Sequence, residues 1–415
     1  MNAAVDELVE RARGVSIEDA APLLGLKFSG KRFEHAQPCP VCGGTDTFAF
    51  NTQKNKWNCR AGGVGGGDAL GLAGHILELD LKRRATFLEA CSAVTGLAVP
   101  DIAEREEPAE REARLKRLED LRMQHYEEVA ARHASQRDYR ERERERARGI
   151  YRAAGPIEGT LASDYLRARG CGMAPGGWLR FQVALSYWHG NDERGHSLEL
   201  YSGPGMVAPF IDAAGIVIGC HQTWIDLRQG PKFRPRLVDP ETRAALPTKK
   251  MRGSKKGGVI PLAGDPSAER WLGAEGIENT LAFARWEEVR ADTFYFAAGD
   301  LGNLAGPAEP KSRFAHPTLT KPDRNGVERP VMIPGPVPAA QKDDEPDAMV
   351  VPDHVGELVL LADADSERVF TASAMARAKA RHAREGRLIP VVWPRPGTDF
   401  AAMLANADQA YEDRA

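Results

Sequence analysis

The 415-residue sequence predicts a multidomain α/β (α+β) protein. Three observations carry that prediction. Three of the six cysteines crowd into residues 39–59, which marks a small metal-binding module near the N-terminus. Residues 104–148 hold 13 acidic and 13 basic side chains among 45, the composition of a charged helical linker. Beyond residue 263, apolar strand-like runs alternate with helical periodicity, the pattern of a largely parallel sheet. The chain is accordingly divided into a ribbon-like metal-binding domain (1–100), the linker (101–150), a basic α+β subdomain (151–262) and an α/β domain (263–415). The last carries a Pro-rich insert at 306–352.

Within the first block, Ser16-Ile17-Glu18-Asp19 is a capping box that opens a short helix ending at Gly25. TFAFNTQKNKWNC reads as a hairpin: Phe48 and Phe50 alternate on one strand, 52–55 turn, and Trp57 lies on the return. Asp68 is a good N-cap for the helix in ALGLAGHILEL, and a further helix over 86–95 stops at Gly96. In the linker, Leu115, Leu118, Leu121 and Val129 give only a thin apolar stripe, so a solvated, ion-paired helix is expected; a coiled-coil or partner-docking role is the alternative. The third block predicts a helix over 160–169 and strands over 206–211 and 216–221 around a turn at 212–215. In the fourth, WLGAEG, FYFAAG, ELVLLADAD and LIPVVW read as strands, with helices over 279–290 and 368–385. Ten prolines within 306–352 predict a disordered loop.

Composition limits the partners. Lys and Arg number 56 against 59 Asp and Glu, a net charge of −3, which excludes a uniformly basic nucleic-acid coat protein. No apolar run approaches the ~18 residues of a membrane span, and the N-terminus lacks the order of a signal peptide, so a cytoplasmic protein without a membrane partner is expected. Six cysteines in so long a chain are too few for a disulfide scaffold.

Cys39-Pro-Val-Cys42, sixteen residues, then Cys59 fits three positions of a C-x2-C…C-x2-C zinc site, but the fourth position is Gly62. His35 is the nearest residue able to complete it. Three carboxylate clusters follow predicted strands: Glu275-Gly-Ile-Glu278, Asp363-Ala-Asp365 and Asp399. Open α/β sheets place ligands at such strand ends. Converging acids repel one another unless cations neutralise them, and Mg²⁺ or Mn²⁺ is the natural occupant, suited to clamping a phosphoryl transfer. Just upstream, residues 228–256 carry ten Lys/Arg and two acids, a local +8 that suits a polyanionic substrate; Pro and Gly punctuate it as a loop. No GxxxxGK[ST] motif is present, so nothing indicates an NTPase motor.

Taken in order, these motifs resemble the DNA primases of phages and mobile elements, relatives of the bacterial replicative primase with an N-terminal zinc-binding domain and a Toprim catalytic domain. CPVCGGTDTFAFNTQKNKWNCRAGGVGGGDAL is similar to that family's zinc finger, and ASDYLRARG, LRF and GIVIGCHQTWID to the segment preceding Toprim. AEGIENTLAFA, LLADADSE and PGTDFAAML resemble the three Toprim signatures. The resemblance implies catalytic, metal-binding carboxylates at Glu275, Asp363 and Asp365, with Asp399 nearby. It implies nucleotide and template contacts from Lys249, Lys250, Arg252, Lys255 and Lys256, and structural Zn²⁺ beside catalytic Mg²⁺ or Mn²⁺. Departures are Gly62, Asn279 where an acid is usual, Arg368 where glycine is usual, and Ala401 where a second acid or Asn is usual.

The implied activity is template-directed synthesis of short RNA primers on single-stranded DNA from NTPs, for a phage, plasmid or integrated element, with a separate replicative helicase as partner. Phe48, Phe50 and Trp57 are expected to stack on template bases, with the small core of the zinc ribbon as the alternative and at least one of the three assigned to it. Alternatives are a catalytically weak or silent nucleic-acid-binding adaptor, suggested by the thinned carboxylate set, and a Toprim nuclease.

Overall fold

The computed structural model describes residues 3–27, 33–100, 108–172, 176–191, 196–322, 327–341, 346–364 and 367–404. The chain divides into two units, Met1–Asp138 with Phe314–Ile333, and Tyr139–Arg313 with Pro334–Ala415.

The first unit begins with α1 (Ala3–Gly14) and α2 (Ile17–Leu23). The Ser16 side chain accepts the Asp19 amide at 3.1 Å while its hydroxyl donates to the Asp19 carboxylate at 2.7 Å, a reciprocal cap that starts α2. Strands β1 (Glu34–Cys39), β2 (Gly43–Asn51), β3 (Lys56–Cys59) and β4 (Val64–Gly66) form an antiparallel sheet in that order. Asp68 caps α3 (Ala69–Ile76) by accepting the Gly71 amide at 2.6 Å. Helix α4 (Arg84–Thr95) ends at Gly96, whose φ of 69° is the left-handed position that glycine takes without a Cβ clash. Leu8, Ile17, Phe48, Phe50, Leu72 and Val94 meet in one core.

Helix α5 (Pro108–Ala153) leads into the second unit. There β5 (Gly155–Pro156), α6 (Leu161–Ala168), β6 (Arg180–Asn191), β7 (Ser197–Ile211), β8 (Val217–Trp224) and β9 (Lys249–Gly253) follow, the strands forming an antiparallel sheet in chain order. The end of α5 is not a solvated linker, as its charge had suggested. Ala147 and Tyr151, four apart and so on one helix face, bury against Leu185, Tyr187 and Trp224. The flanking charges find partners: Arg148 donates to the Val217 carbonyl at 2.9 Å and Arg252 to Glu143 at 2.9 Å.

The chain continues through β10 (Ile260–Ala263), β11 (Arg270–Ala274), α7 (Ile277–Trp286), β12 (Thr293–Ala297), α8 (Leu301–Ala305), β13 (Phe314–Pro322), β14 (Glu328–Ile333), β15 (Glu357–Leu361), α9 (Arg368–His382) and β16 (Val391–Val392), and all of these strands except β13 and β14 form a second sheet. Its order is β10-β12-β11-β15-β16, with β10 antiparallel and the other pairings parallel. Leu272, Tyr295, Val359 and Leu361 face the side of Leu281 on α7; Trp271, Phe294, Phe296 and Leu358 face that of Met375 and Ala378 on α9. Burial on both faces is why these strands read as continuous apolar runs. Gly273 leaves room for the Phe296 ring, which a Cβ there would meet at 2.5 Å.

The Pro-rich insert is ordered among its described residues, correcting the expectation of disorder. Strands β13 and β14 pair antiparallel and belong to the first unit. At the insert's root, Arg377 donates to the Gly306 and Gly335 carbonyls at 2.9 and 2.6 Å, and Arg381 to those of Ala305 and Pro307 at 2.9 and 3.0 Å. Prolines cannot donate to close a local ladder, so long donors from α9 satisfy the carbonyls instead. Among the described residues, no helix is long and apolar enough to cross a membrane.

Candidate metal centre and active-site edge

Strand β1 ends at Cys39, the turn to β2 carries Cys42 and β3 ends at Cys59, so the hairpin brings three thiols to one end of the small sheet. The fourth member of the group is His75, in the last turn of α3. All four donor atoms lie within 4.8 Å of one another, and Cys39 Sγ is 3.3 Å from His75 Nε2. The Cys42 amide points at Cys39 Sγ (3.3 Å) and the Gly62 amide at Cys59 Sγ (3.1 Å), each favouring a thiolate. A Cβ on Gly62 would lie 3.2 Å from Cys42 Sγ, Cys59 Sγ and His75 Cε1, so the space beside it is filled by the imidazole.

Hydrogen bonds from Cys42 and Cys59 hold the Cys39 thiol far below its usual range, while the bond to Cys39 pushes Cys42 up. Bonds to Cys39 and Cys59 raise His75 to about 9. A thiolate at Cys39 beside a protonated Cys42 and an imidazolium is an arrangement from which a divalent ion displaces protons as it binds. Three sulfur donors and one nitrogen are the donor set of structural zinc, whose ~2.3 Å Zn–S bonds imply ligand separations of about 3.7 Å. The residues fit such an ion.

His35 is corrected. It sits inside β1 opposite Phe50, buried and stacked on that ring at 5.0 Å, and is not a member of the group. It shares a strand face with Cys39, but four residues of strand span about 13 Å. His75 was legible in principle: it lies three residues beyond buried Leu72, on the inward helix face. The three aromatics are corrected too. Phe48, Phe50 and Trp57 are 0%, 1% and 6% exposed and build the core of the small unit, Trp57 stacking on His75 at 5.3 Å, so they offer no face to a base.

In the second unit, the parallel strands β12, β11, β15 and β16 bring their C-terminal ends to one edge. Glu275 directly follows β11, Asp363 comes two residues after β15, and Asp399, seven residues past β16, caps the helical turn at 400–404. Asp300, three residues past β12, is a fourth acid on this edge that the sequence reading passed over; its strand–Gly–Asp context was the available signal. The Glu275 carbonyl accepts the Gly299 amide at 2.8 Å. Asn279 donates from Nδ2 to Asp363 Oδ1 and accepts the Ala401 amide at 3.3 Å. Asp399 accepts the Ala402 amide at 2.6 Å. Asp365 lies outside the described residues. The donors are hard oxygens suited to Mg²⁺ or Mn²⁺, but among the described residues they do not close into a group as the cysteines do.

The basic stretch is partly strand rather than loop, since Lys249–Gly253 is the edge strand β9. Its cations have protein partners. Lys249 Nζ donates to both oxygens of buried Glu278 at 2.8 and 3.0 Å; Tyr165 donates to the same carboxylate at 2.7 Å, and Arg234 lies 3.7 Å away. Burial pushes the Glu278 carboxyl up, but Lys249, Tyr165 and Arg234 outweigh it and hold the group well below the usual range. Lys250 sits 3.6 Å over the Tyr187 ring. Arg252 pairs with Glu143, Lys255 with Asp300, and Lys256 with Asp347 at 3.7 Å. Burial, and then Lys249, pushes His221 down to about 4.

A family model described as a domain of unknown function (DUF7146) matches residues 141–262, from the end of α5 into β10. No curated protein matches the sequence. Four solved chains do. One is a DnaG primase catalytic domain bound to single-stranded DNA (14% identity, 68% of this chain and 81% of that one, TM-score 0.34). Another is a DNA primase domain from Pseudomonas aeruginosa (11% identity, 61% and 71%, TM-score 0.32). A third is a DnaG catalytic core (14% identity, 62% and 74%, TM-score 0.30). Likeness at this level does not establish a shared activity.

Proposed function

We propose that this chain is a DNA primase, a metal-dependent nucleotidyltransferase that makes short RNA primers on single-stranded DNA. The observation that carries the reading is the acid edge: Glu275 and Asp363 stand just past the neighbouring parallel strands β11 and β15, Asp300 lies three residues past β12, and Asp399 caps the helical turn that follows β16. From the basic segment, Lys255 pairs with Asp300 and Lys249 with Glu278 on α7. Acids that would hold divalent ions next to cations that would draw phosphates suit the joining of a nucleoside triphosphate to a 3′-hydroxyl.

In this reading Glu275, Asp363 and Asp365 are the catalytic acids, with Asp399 supporting them. Mg²⁺ or Mn²⁺ bound there would neutralise charge on the triphosphate. Glu275 would take the proton of the attacking hydroxyl, and Lys249 and Lys255 would attract the polyphosphate. The Cys39–Cys42–Cys59–His75 group would hold structural zinc. A separate helicase, and service to a phage, plasmid or mobile element, belong to the same proposal.

The test is a synthesis assay with the full chain, mixed-sequence single-stranded DNA, Mg²⁺ or Mn²⁺, and labelled NTPs. Short template-dependent products that disappear with Glu275→Gln are expected. Metal-dependent cleavage of labelled DNA without NTPs would favour the nuclease. Salt-sensitive DNA binding without either chemistry would favour the adaptor.

A further inference from the structure

Glu278 has no part in the chemistry proposed above, yet it is among the most heavily tied side chains of the second unit. Its carboxylate is buried and receives Lys249 Nζ on both oxygens, at 2.8 and 3.0 Å, and the Tyr165 hydroxyl at 2.7 Å. Lys249 belongs to β9 and Tyr165 to α6, so one side chain on the first turn of α7 joins both elements to the parallel sheet. The next residue, Asn279, is bonded to Asp363 and to the Ala401 amide. Adjacent positions on a helix turn cannot move independently, because the backbone bonds of the turn fix their relative orientation. Whatever holds Glu278 therefore holds the amide that orients Asp363.

We infer that Glu278 is a positioning residue, whose buried pairing with Lys249 and Tyr165 fixes the first turn of α7 and so sets the Asp363 carboxylate through Asn279. The inference rests on reading Asp363 as a divalent-ion ligand. A buried pair is a suitable device for this purpose. Its net stabilisation is small, but breaking it leaves an uncompensated charge that displaces its surroundings.

The test exploits a difference in sign and reads Mn²⁺ binding by titration calorimetry on the full chain, independently of turnover. If Glu278 and Lys249 acted on the ion only through charge, Glu278→Gln would weaken Mn²⁺ binding and Lys249→Gln would strengthen it. Positioning predicts that both weaken it, each by about tenfold, and that the double variant is no worse than either single one. Tyr165→Phe, which changes no charge and removes one hydroxyl, is expected to weaken binding about threefold while the chain stays folded by circular dichroism. Tighter binding in Lys249→Gln, or unchanged binding in Tyr165→Phe, would overturn the inference. Failure of the underlying reading looks different: Asp363→Asn would then bind Mn²⁺ like the wild type.

Discussion

The two polar centres of this chain are built on opposite plans. In the first unit, four donors converge within 4.8 Å, with two backbone amides aimed at the sulfurs. In the second, acids that follow the parallel strands are spread along an edge, and the contacts described for them are to protein groups: Asp363 to Asn279, Asp300 to Lys255, Asp399 to the Ala402 amide. Soft donors in a closed set suit an ion that stays and supports a fold. Hard donors held apart suit ions that arrive with phosphate ligands and keep part of their water. On the proposed reading, the comparison separates a site for stability from one for turnover, and the two respond to substitution in different ways.

The largest expected effect lies in the first unit. His75→Ala should reduce bound zinc from one per chain to none, by metal analysis, and unfold the small domain; structural zinc contributes apparent free energies of about 10–16 kcal/mol in small modules. His35→Ala should keep its zinc. The reverse result would break the assignment of the fourth ligand. Next is the clamp in the second unit: Arg377 is buried and bonded to the Gly306 and Gly335 carbonyls, so Arg377→Ala should cost about 2–3 kcal/mol in denaturant unfolding by leaving buried carbonyls unsatisfied.

Acid should act on the second unit through His382. Burial pushes this imidazole from 6.5 down to about 4, although its bond to the Leu304 carbonyl opposes the shift. The unfolded chain therefore takes up the proton first. The contribution is complete above about pH 6.5 and is lost as the pH falls through the window toward 4. His382→Gln, which can still donate to Leu304 without titrating, should flatten the slope in thermal melts across that range. The smallest effect is the cap at Ser16, where Ser16→Ala should cost about 1 kcal/mol of first-unit stability.

How much was legible in the sequence follows the distance over which each feature is determined. Ser16, Asp68 and Gly96 act on backbone within three or four residues, and α2 and α3 begin, and α4 ends, where the sequence predicts. The acids at strand ends were legible because a buried strand followed by a turn has a local pattern. His75 carried a weaker signal, its place on the inward face of α3, because it reaches the cysteines only through the packing of α3 on the hairpin; His35, closer in sequence, is the residue that local reading favours. The aromatics were misassigned for a related reason: a small sheet needs large side chains for its core, and an alternating pattern does not say which face is buried. Strand β9 went unread because KKMRG lacks apolar alternation and is stabilised by ion pairs with distant acids. The insert's order depends on arginines about 40 to 70 residues downstream.

The most direct test compares the two centres in one experiment, measuring primer synthesis and zinc content together for Asp363→Asn. The account predicts that synthesis falls at least a hundredfold while one zinc per chain remains. Synthesis at the wild-type rate would contradict it and remove the acid edge from the chemistry.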